Sequence, residues 1–272
     1  MDSGLLYICG DDEFLQMATR SARTARKYMP DTPIAIITDA DTVPSVFDNQ
    51  IDADLEPYGY RNKPATIHRS PFDRTLFVDH DTYFTCDVSG LFDILDEFQL
   101  AVAHAPNRVG YNLSGVPNDF VQMNTGVLLF KTVEVQTYFS NWQTNYSQLR
   151  EKKGIDADQP SFRKTIYESD IRYYTLPPEY NCRTPYPGYL KRRAAILHGG
   201  HQEFGSIVDK INKRENESRV HLPGYSRDTI SVLTRPRIST LPRAAYQSIS
   251  RDGVIETVNK TLERLKSGRV GQ

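Results

Sequence analysis

Two apolar runs, Leu5-Leu6-Tyr7-Ile8-Cys9 and Ile34-Ala35-Ile36-Ile37-Thr38, bracket a segment whose apolar residues recur at helical spacing. Phe14, Met17, Ala18, Ala22, Ala25 and Tyr28 share one face of that segment, while Arg20, Arg23 and Arg26 fall elsewhere. Met29-Pro30-Asp31 closes it. Strand, helix and strand in this order make a β-α-β unit, and its right-handed crossover makes the two strands parallel. This unit commits the chain to the α/β class. Further strand-like runs follow at residues 75–78, 100–105, 126–130, 172–176 and 194–198. Helical patterns lie between them: a short one at 91–95, a long one over 133–150, and one opening at Asp158. In the long one Val135, Phe139, Trp142, Tyr146 and Leu149 form a stripe that reads as core. Residues 40–60 read as irregular, and residues 106–119 as a polar binding loop or flap.

The run Thr75-Leu76-Phe77-Val78 ends in Asp79-His80-Asp81. Ligands of open α/β sheets bind at the carboxyl ends of strands. Two hard oxygen donors there suit Mg²⁺ or Mn²⁺, and such an ion suits a phosphorylated ligand. The spacing alone does not single this pair out, because Asp39/Asp41, Asp52/Asp54 and Asp156/Asp158 repeat it. Asp39/Asp41 follows a strand-like run. Asp52/Asp54 lies in a polar segment with no strand expected before it, and Asp156/Asp158 lies in a loop opening a helix. Asp158, with Pro160 just inside that helix, reads as an ordinary cap, whereas Gln159 has no evident structural task. His198 stands at the carboxyl end of the last core strand.

Composition sets the outer bounds. The 272 residues hold 39% hydrophobic and 25% charged side chains, the balance of an ordinary water-soluble chain. A net charge of −1 gives no sign of a nucleic-acid partner. Cys9, Cys86 and Cys182 are odd in number, widely spaced and without a Cys-x-x-Cys pair, which excludes a zinc ribbon and a disulfide framework and points to a reduced, cytoplasmic compartment. No signal peptide is expected, and no apolar run approaches the ~20 residues of a bilayer span.

Charge is unevenly placed: residues 209–272 hold 13 Lys+Arg against 7 Asp+Glu, leaving an acidic body and a basic tail. In the tail Arg235, Arg237, Arg243 and Arg251 are spaced by Pro, Ser and Thr, and Ile255, Val258, Leu262 and Leu265 share a helical face. That face suits packing on the body or on a second copy of the chain. The alternative use is peripheral contact with the inner membrane surface.

Taken in order, these parts resemble a known family. The segments that carry the resemblance are 70–82, with the Asp79-His80-Asp81 motif, Met123-Asn124-Thr125-Gly126-Val127, Asp158-Gln159-Pro160-Ser161-Phe162, the stretch 176–183, and Ile196-Leu197-His198-Gly199. The chain resembles the metal-dependent GT-A glycosyltransferases, close to glycosyltransferase family 8, over residues 5 to about 204. The resemblance implies a GT-A (Rossmann-like) catalytic domain over 1–204, with a mixed, mostly parallel sheet flanked by helices. A basic, helical or irregular extension would then span 205–272. It implies Mn²⁺ or Mg²⁺ held by Asp79, Asp81 and His198 against the diphosphate of a UDP- or GDP-sugar. Asn124, Asp158 and Gln159 match residues beside the donor sugar and its anomeric carbon. Cys9, Gly10 and Asp11 match the nucleoside loop, and Lys63 matches a basic residue near the donor. His80, Thr125 and Gly126 complete the implied donor site. The acceptor, a glycan, lipid or protein, is not indicated, and the resemblance implies retention of anomeric configuration.

Two departures stand out. No lysine matches the one the family commonly places after the histidine, where this chain has Gly199-Gly200-His201-Gln202-Glu203, and His80 replaces a small residue in the motif. Gly10 opening a helix suits a nucleotide, but neither Gly-x-Gly-x-x-Gly nor Gly-Lys-[Ser/Thr] is present. Residues i and i+2 of an extended chain are about 7 Å apart, so Asp79 and Asp81 share an ion only if the chain bends between them. Three other readings compete: an adaptor working through the basic tail, a sugar-nucleotide binding protein without catalysis, and a haloacid-dehalogenase-type phosphohydrolase. The last also carries Asp-x-Asp after a strand but usually wants Thr or Val where this chain has Tyr83.

Overall fold

A computed structural model describes residues 2–57, 59–108, 110–201, 203–224 and 229–234. The β-α-β unit forms as expected: β1 (Ser3–Cys9), α1 (Asp12–Tyr28) and β2 (Ile34–Thr38), with β1 and β2 parallel. Asp11 caps α1, accepting from the Phe14 amide at 2.9 Å. Asp12 and Glu13 in the first turn and Arg26 and Lys27 in the last complement the helix dipole. Buried Ala18, Ala22 and Ala25 let α1 lie close on the sheet.

The chain then runs through β3 (Asn49–Asp52), α2 (Asn62–Thr66), β4 (Arg74–Val78), β5 (Thr82–Phe84), a 3₁₀ segment (Ser89–Asp96), β6 (Leu100–His104) and β7 (Met123–Lys131). Next come α3 (Gln136–Lys153), α4 (Asp158–Tyr167), β8 (Tyr173–Thr175), β9 (Cys182–Arg183), β10 (Gly188–Leu190), β11 (Ile196–His198), α5 (Phe204–Asn212), β12 (Arg219–Pro223) and β13 (Ile230–Thr234). Seven strands form the central sheet in the order β3-β2-β1-β4-β7-β6-β8. Every pairing is parallel except those of β7, which runs antiparallel to β4 and β6. The fold is thus mixed α/β with a mostly parallel sheet flanked by helices.

Alternation along the strands fills both faces. Leu5, Tyr7, Ile34, Ile36, Leu76 and Val78 pack with α1 and Leu91 and Leu95 of the 3₁₀ segment. Their neighbours Leu6, Ala35, Ile37 and Phe77 pack on the other face, with Phe139 and Trp142 of α3 and Phe162 of α4. A sheet covered on both faces explains why its strands read as unbroken apolar runs.

Residues 40–60 are less irregular than expected. Asn49–Asp52 forms edge strand β3, parallel to β2. Its side chains are mostly exposed, so it carries little of the apolar signal by which strands are recognised. Asp52/Asp54 therefore does follow a strand.

Beneath the carboxyl ends of the main sheet, β5, β11 and β9 form a small second sheet, and β10, β12 and β13 a third. The extension expected from residue 205 opens in α5 and continues in β12 and β13. Phe204, Ile207, Ile211 and Ile230 pack there against Cys182, Leu190 and Leu197. Residues 1–233 form one compact unit. The tail arginines Arg235, Arg237, Arg243 and Arg251 and the apolar face from Ile255 to Leu265 lie outside the described residues. No helix among the described residues is long and apolar enough to cross a membrane.

Candidate metal centre and cleft

β4 ends at Val78, and the chain turns at once. The Asp79 amide donates to Gly126 O at 2.8 Å, continuing the β4–β7 ladder, and the Thr82 hydroxyl donates back to Asp79 O at 2.8 Å. Thr82 has one proton to give, so Ser21 Oγ, 2.7 Å away, donates to Thr82, and Tyr7 OH, 3.0 Å from Ser21, donates to Ser21. A directed run of three buried hydroxyls thus ties the turn to β1 and α1. It supplies the bend that lets Asp79 and Asp81 face one point.

His198 arrives from β11. β5 pairs antiparallel with β11, placing His198 opposite Thr82, and the Gly199 amide donates to Asp81 O at 2.9 Å. His198 Nε2 comes to lie 3.1 Å from Asp81 Oδ1 and 3.6 Å from Asp79 Oδ2. Gly126 backs the group. A Cβ there would stand 2.0 Å from His198 Cε1 and 2.7 Å from Asp79 Oδ2, so no larger residue fits.

The ring's tautomer follows from one backbone amide. Gly126 N–H donates to Asn124 Oδ1 at 3.2 Å, so the Asn181 group 2.8 Å from that oxygen is the donating Nδ2. Asn181 Oδ1 therefore faces His198 Nδ1, at 2.8 Å, and accepts its proton. In the neutral ring the Nε2 lone pair then points at two carboxylates. That arrangement is repulsive unless a cation lies between them. Without an ion between them, burial pushes the Asp81 carboxyl up, but a protonated His198, through its charge and hydrogen bond, outweighs burial and with His80 and Arg183 holds it well below the usual range. Two carboxylates and an imidazole oriented through its second nitrogen can hold a metal ion. Among the described residues no other group of three or more His, Cys, Asp or Glu brings its ligand atoms this close.

A cleft of about 480 Å³ opens over this group. Lys63, on α2, reaches in from one side: Nζ lies 2.9 Å from Asp79 Oδ1 and 3.2 Å from Asp158 Oδ2. Burial disfavours the Lys63 charge, but Asp158 and Asp79 outweigh it and hold the ammonium well above the lysine range. Asp158 is not the cap of α4. Ala157 occupies that position, and Asp158, the first helical residue, turns inward to accept from Thr125 Oγ1 at 2.7 Å. Its backbone is pinned by buried Trp142, whose Nε1 donates to Asp158 O at 3.2 Å and Ser161 Oγ at 3.0 Å.

The inward turn of Asn124 and Thr125 has a local cause. The β6–β7 register jumps from Val102↔Leu128 to Ala103↔Asn124, so residues 125–127 bulge out of the ladder. Bulges re-aim side chains, and here they turn Asn124 and Thr125 towards the cleft.

Of the residues singled out in the sequence, Gly10, Lys63, Asp79, His80, Asp81, Asn124, Thr125, Asp158, Gln159 and His198 line the cleft. His80 stacks on Phe14, ring centroids 4.0 Å apart. Gly126 backs the metal group, and Asp11 serves as the α1 cap. Cys9 is buried in the core, its thiol donating to Phe14 O at 3.6 Å, with burial pushing its acidity far out of reach. Three residues given no role in the sequence matter here. Asn181 orients His198, Ser21 holds the turn, and Arg183 lines the cleft. Asn181 and Arg183 sit in the segment 176–183, but only the β9–β11 pairing reveals what they face. No family model matches the chain, and no curated protein matches it in sequence.

Proposed function

We propose that this chain is a GT-A-type glycosyltransferase, similar to family 8, that uses Mn²⁺ or Mg²⁺ to transfer a sugar from a UDP- or GDP-sugar. The observation that carries the reading is the Asp79/Asp81/His198 group under a cleft at the carboxyl ends of the parallel strands, with Lys63, Asp158, Asn124 and Gln159 around it. Hard carboxylate oxygens with one imidazole suit Mn²⁺ or Mg²⁺ bound together with phosphate oxygens.

When bound, such an ion supplies Lewis-acid charge at the diphosphate as the sugar–phosphate bond breaks. The chain's own residues do the rest. Lys63 and the Thr125 hydroxyl hold the Asp158 carboxylate in one orientation. A fixed carboxylate stabilises positive charge developing at an anomeric carbon. Asn124 and Gln159 offer amides to the sugar, and Gly10 leaves room for the nucleoside beside Asn62 and Phe14. Retention of configuration is carried over from the resemblance.

The test is calorimetric or thermal-shift binding of UDP- and GDP-sugars with and without Mn²⁺, followed by nucleoside diphosphate release. Metal-dependent binding is expected in the wild type and lost in Asp79→Ala and Asp81→Ala. Undiminished binding by both variants would remove the site assignment.

A further inference from the structure

On the reading of the site just given, the leaving group is a nucleoside diphosphate, and the sequence after His198 lacks the lysine expected beside it. Lys63 does not fill that place, being already paired with Asp79 and Asp158. Among the described residues the other cation lining the cleft is Arg183. β9 pairs parallel with β11, setting Arg183 level with His198. Alternation sends Cys182 and Leu197 into the core behind, and Arg183 and His198 into the cleft. The Arg183 guanidinium lies 5.8 Å from the Tyr186 ring centroid and forms no ion pair with a carboxylate among the described residues. Its Nε is enclosed, with no hydrogen-bond partner there.

We propose that Arg183 binds the diphosphate of the donor from the β9 side of the metal group, taking the role for which no lysine follows His198. A guanidinium presents paired N–H donors that match phosphate oxygens, and its charge is permanent. On transfer, the bond between anomeric carbon and phosphate oxygen breaks and its electron pair stays on that oxygen. The acceptor hydroxyl oxygen bonds to the anomeric carbon, and its proton leaves to the nucleoside diphosphate or to solvent. Arg183 offsets the charge that collects on the departing diphosphate, so it favours the leaving group over the intact donor.

The experiment titrates wild type, Arg183→Gln and Arg183→Lys calorimetrically with UDP and with GDP in saturating Mn²⁺, and separately with Mn²⁺ alone. Arg183→Gln is expected to weaken the preferred diphosphate roughly tenfold to hundredfold, the size of a lost charge-assisted hydrogen bond. Arg183→Lys should recover part of the loss, and both variants should bind Mn²⁺ at least as tightly as the wild type does, which also shows that they fold. Wild-type diphosphate affinity in Arg183→Gln overturns the assignment and leaves the nucleotide-sugar reading standing. An equal loss of Mn²⁺ affinity also overturns it, because the arginine would then act through the metal ligands. A wild type that binds neither UDP nor GDP removes the functional reading and this assignment with it.

Discussion

Asp79, Asp81 and His198 carry the chemistry of the site, but uncharged groups decide where they point. The amide of Gly126 orders Asn124, Asn124 orders Asn181, and Asn181 sets which nitrogen of His198 faces the carboxylates. Outer partners of this kind typically control metal affinity 10–100-fold. Asn181→Leu is therefore expected to weaken Mn²⁺ binding by about that factor, whereas Asn181→Asp, which still accepts from Nδ1, should weaken it less. Calorimetric Mn²⁺ titration of the two variants decides. Asp81 yields a pH prediction. Its folded carboxyl titrates below the ordinary value of about 4. The stabilisation this gives is complete above that value and drains away as pH falls below it. In metal-free buffer the stability difference between wild type and Asp81→Asn should shrink between pH 5 and pH 2, as read by urea unfolding. A difference that grows on acidification would contradict the assignment.

At the scale of elements, one side chain of α4 ties down the later half of the polar loop, where Leu113 and Val116 also pack on Leu149 and Ile155. Arg163, on that helix, donates to Phe120 O at 2.5 Å, Tyr111 O at 3.0 Å and Pro117 O at 2.7 Å. The guanidinium is almost wholly buried, so its loss leaves three carbonyls short of donors. Arg163→Met should cost about 3 kcal/mol, at roughly 1 kcal/mol per lost bond. Faster amide exchange at residues 111–120 is the sign that the loop has come loose, and unchanged exchange there would show that other contacts hold it. The same helix carries Asp158 and Gln159 at its start, so α4 anchors loop and cleft together. The bulge in β7 is the second such device. It breaks the β6–β7 ladder over the three residues where the strand passes the metal group.

For the whole molecule, a site assembled from β4, the β4–β5 turn and β11 exists only when the chain is folded, so metal binding adds directly to stability. Mn²⁺ at about 100 times its Kd should add about 2.7 kcal/mol, or roughly 5–10 °C in Tm for a unit of this size. The shift should vanish in Asp79→Ala and Asp81→Ala. The remaining Asp-x-Asp pairs show what assembly decides. Asp39/Asp41 and Asp52/Asp54 meet at the carboxyl ends of β2 and β3 and line a shallow acidic pocket, yet all four stay exposed and no imidazole joins them. Asp79/Asp81 differs only in what folding brings to it.

By itself the sequence determined the α/β class, the β-α-β start, the buried strands and the long α3, because burial on both faces writes itself as apolar runs and helical stripes. The family resemblance, more than the local pattern, named most of the residues that line the cleft. Local pattern missed β3 and β5, one a polar edge and the other three residues long, both too weak to register. It reads Asp158 as a cap and only the resemblance set it beside the donor, because a helix start looks the same whether its carboxylate turns to the backbone or to a lysine from elsewhere. The resemblance chose Asp79/Asp81 and His198 among the four Asp-x-Asp pairs, and the tertiary structure alone shows the three brought together, which nitrogen that ring presents, and that Arg183 stands beside it. Those are properties of strand pairing, β5 with β11 across more than a hundred residues and β9 with β11 across about fifteen, and local pattern does not encode them.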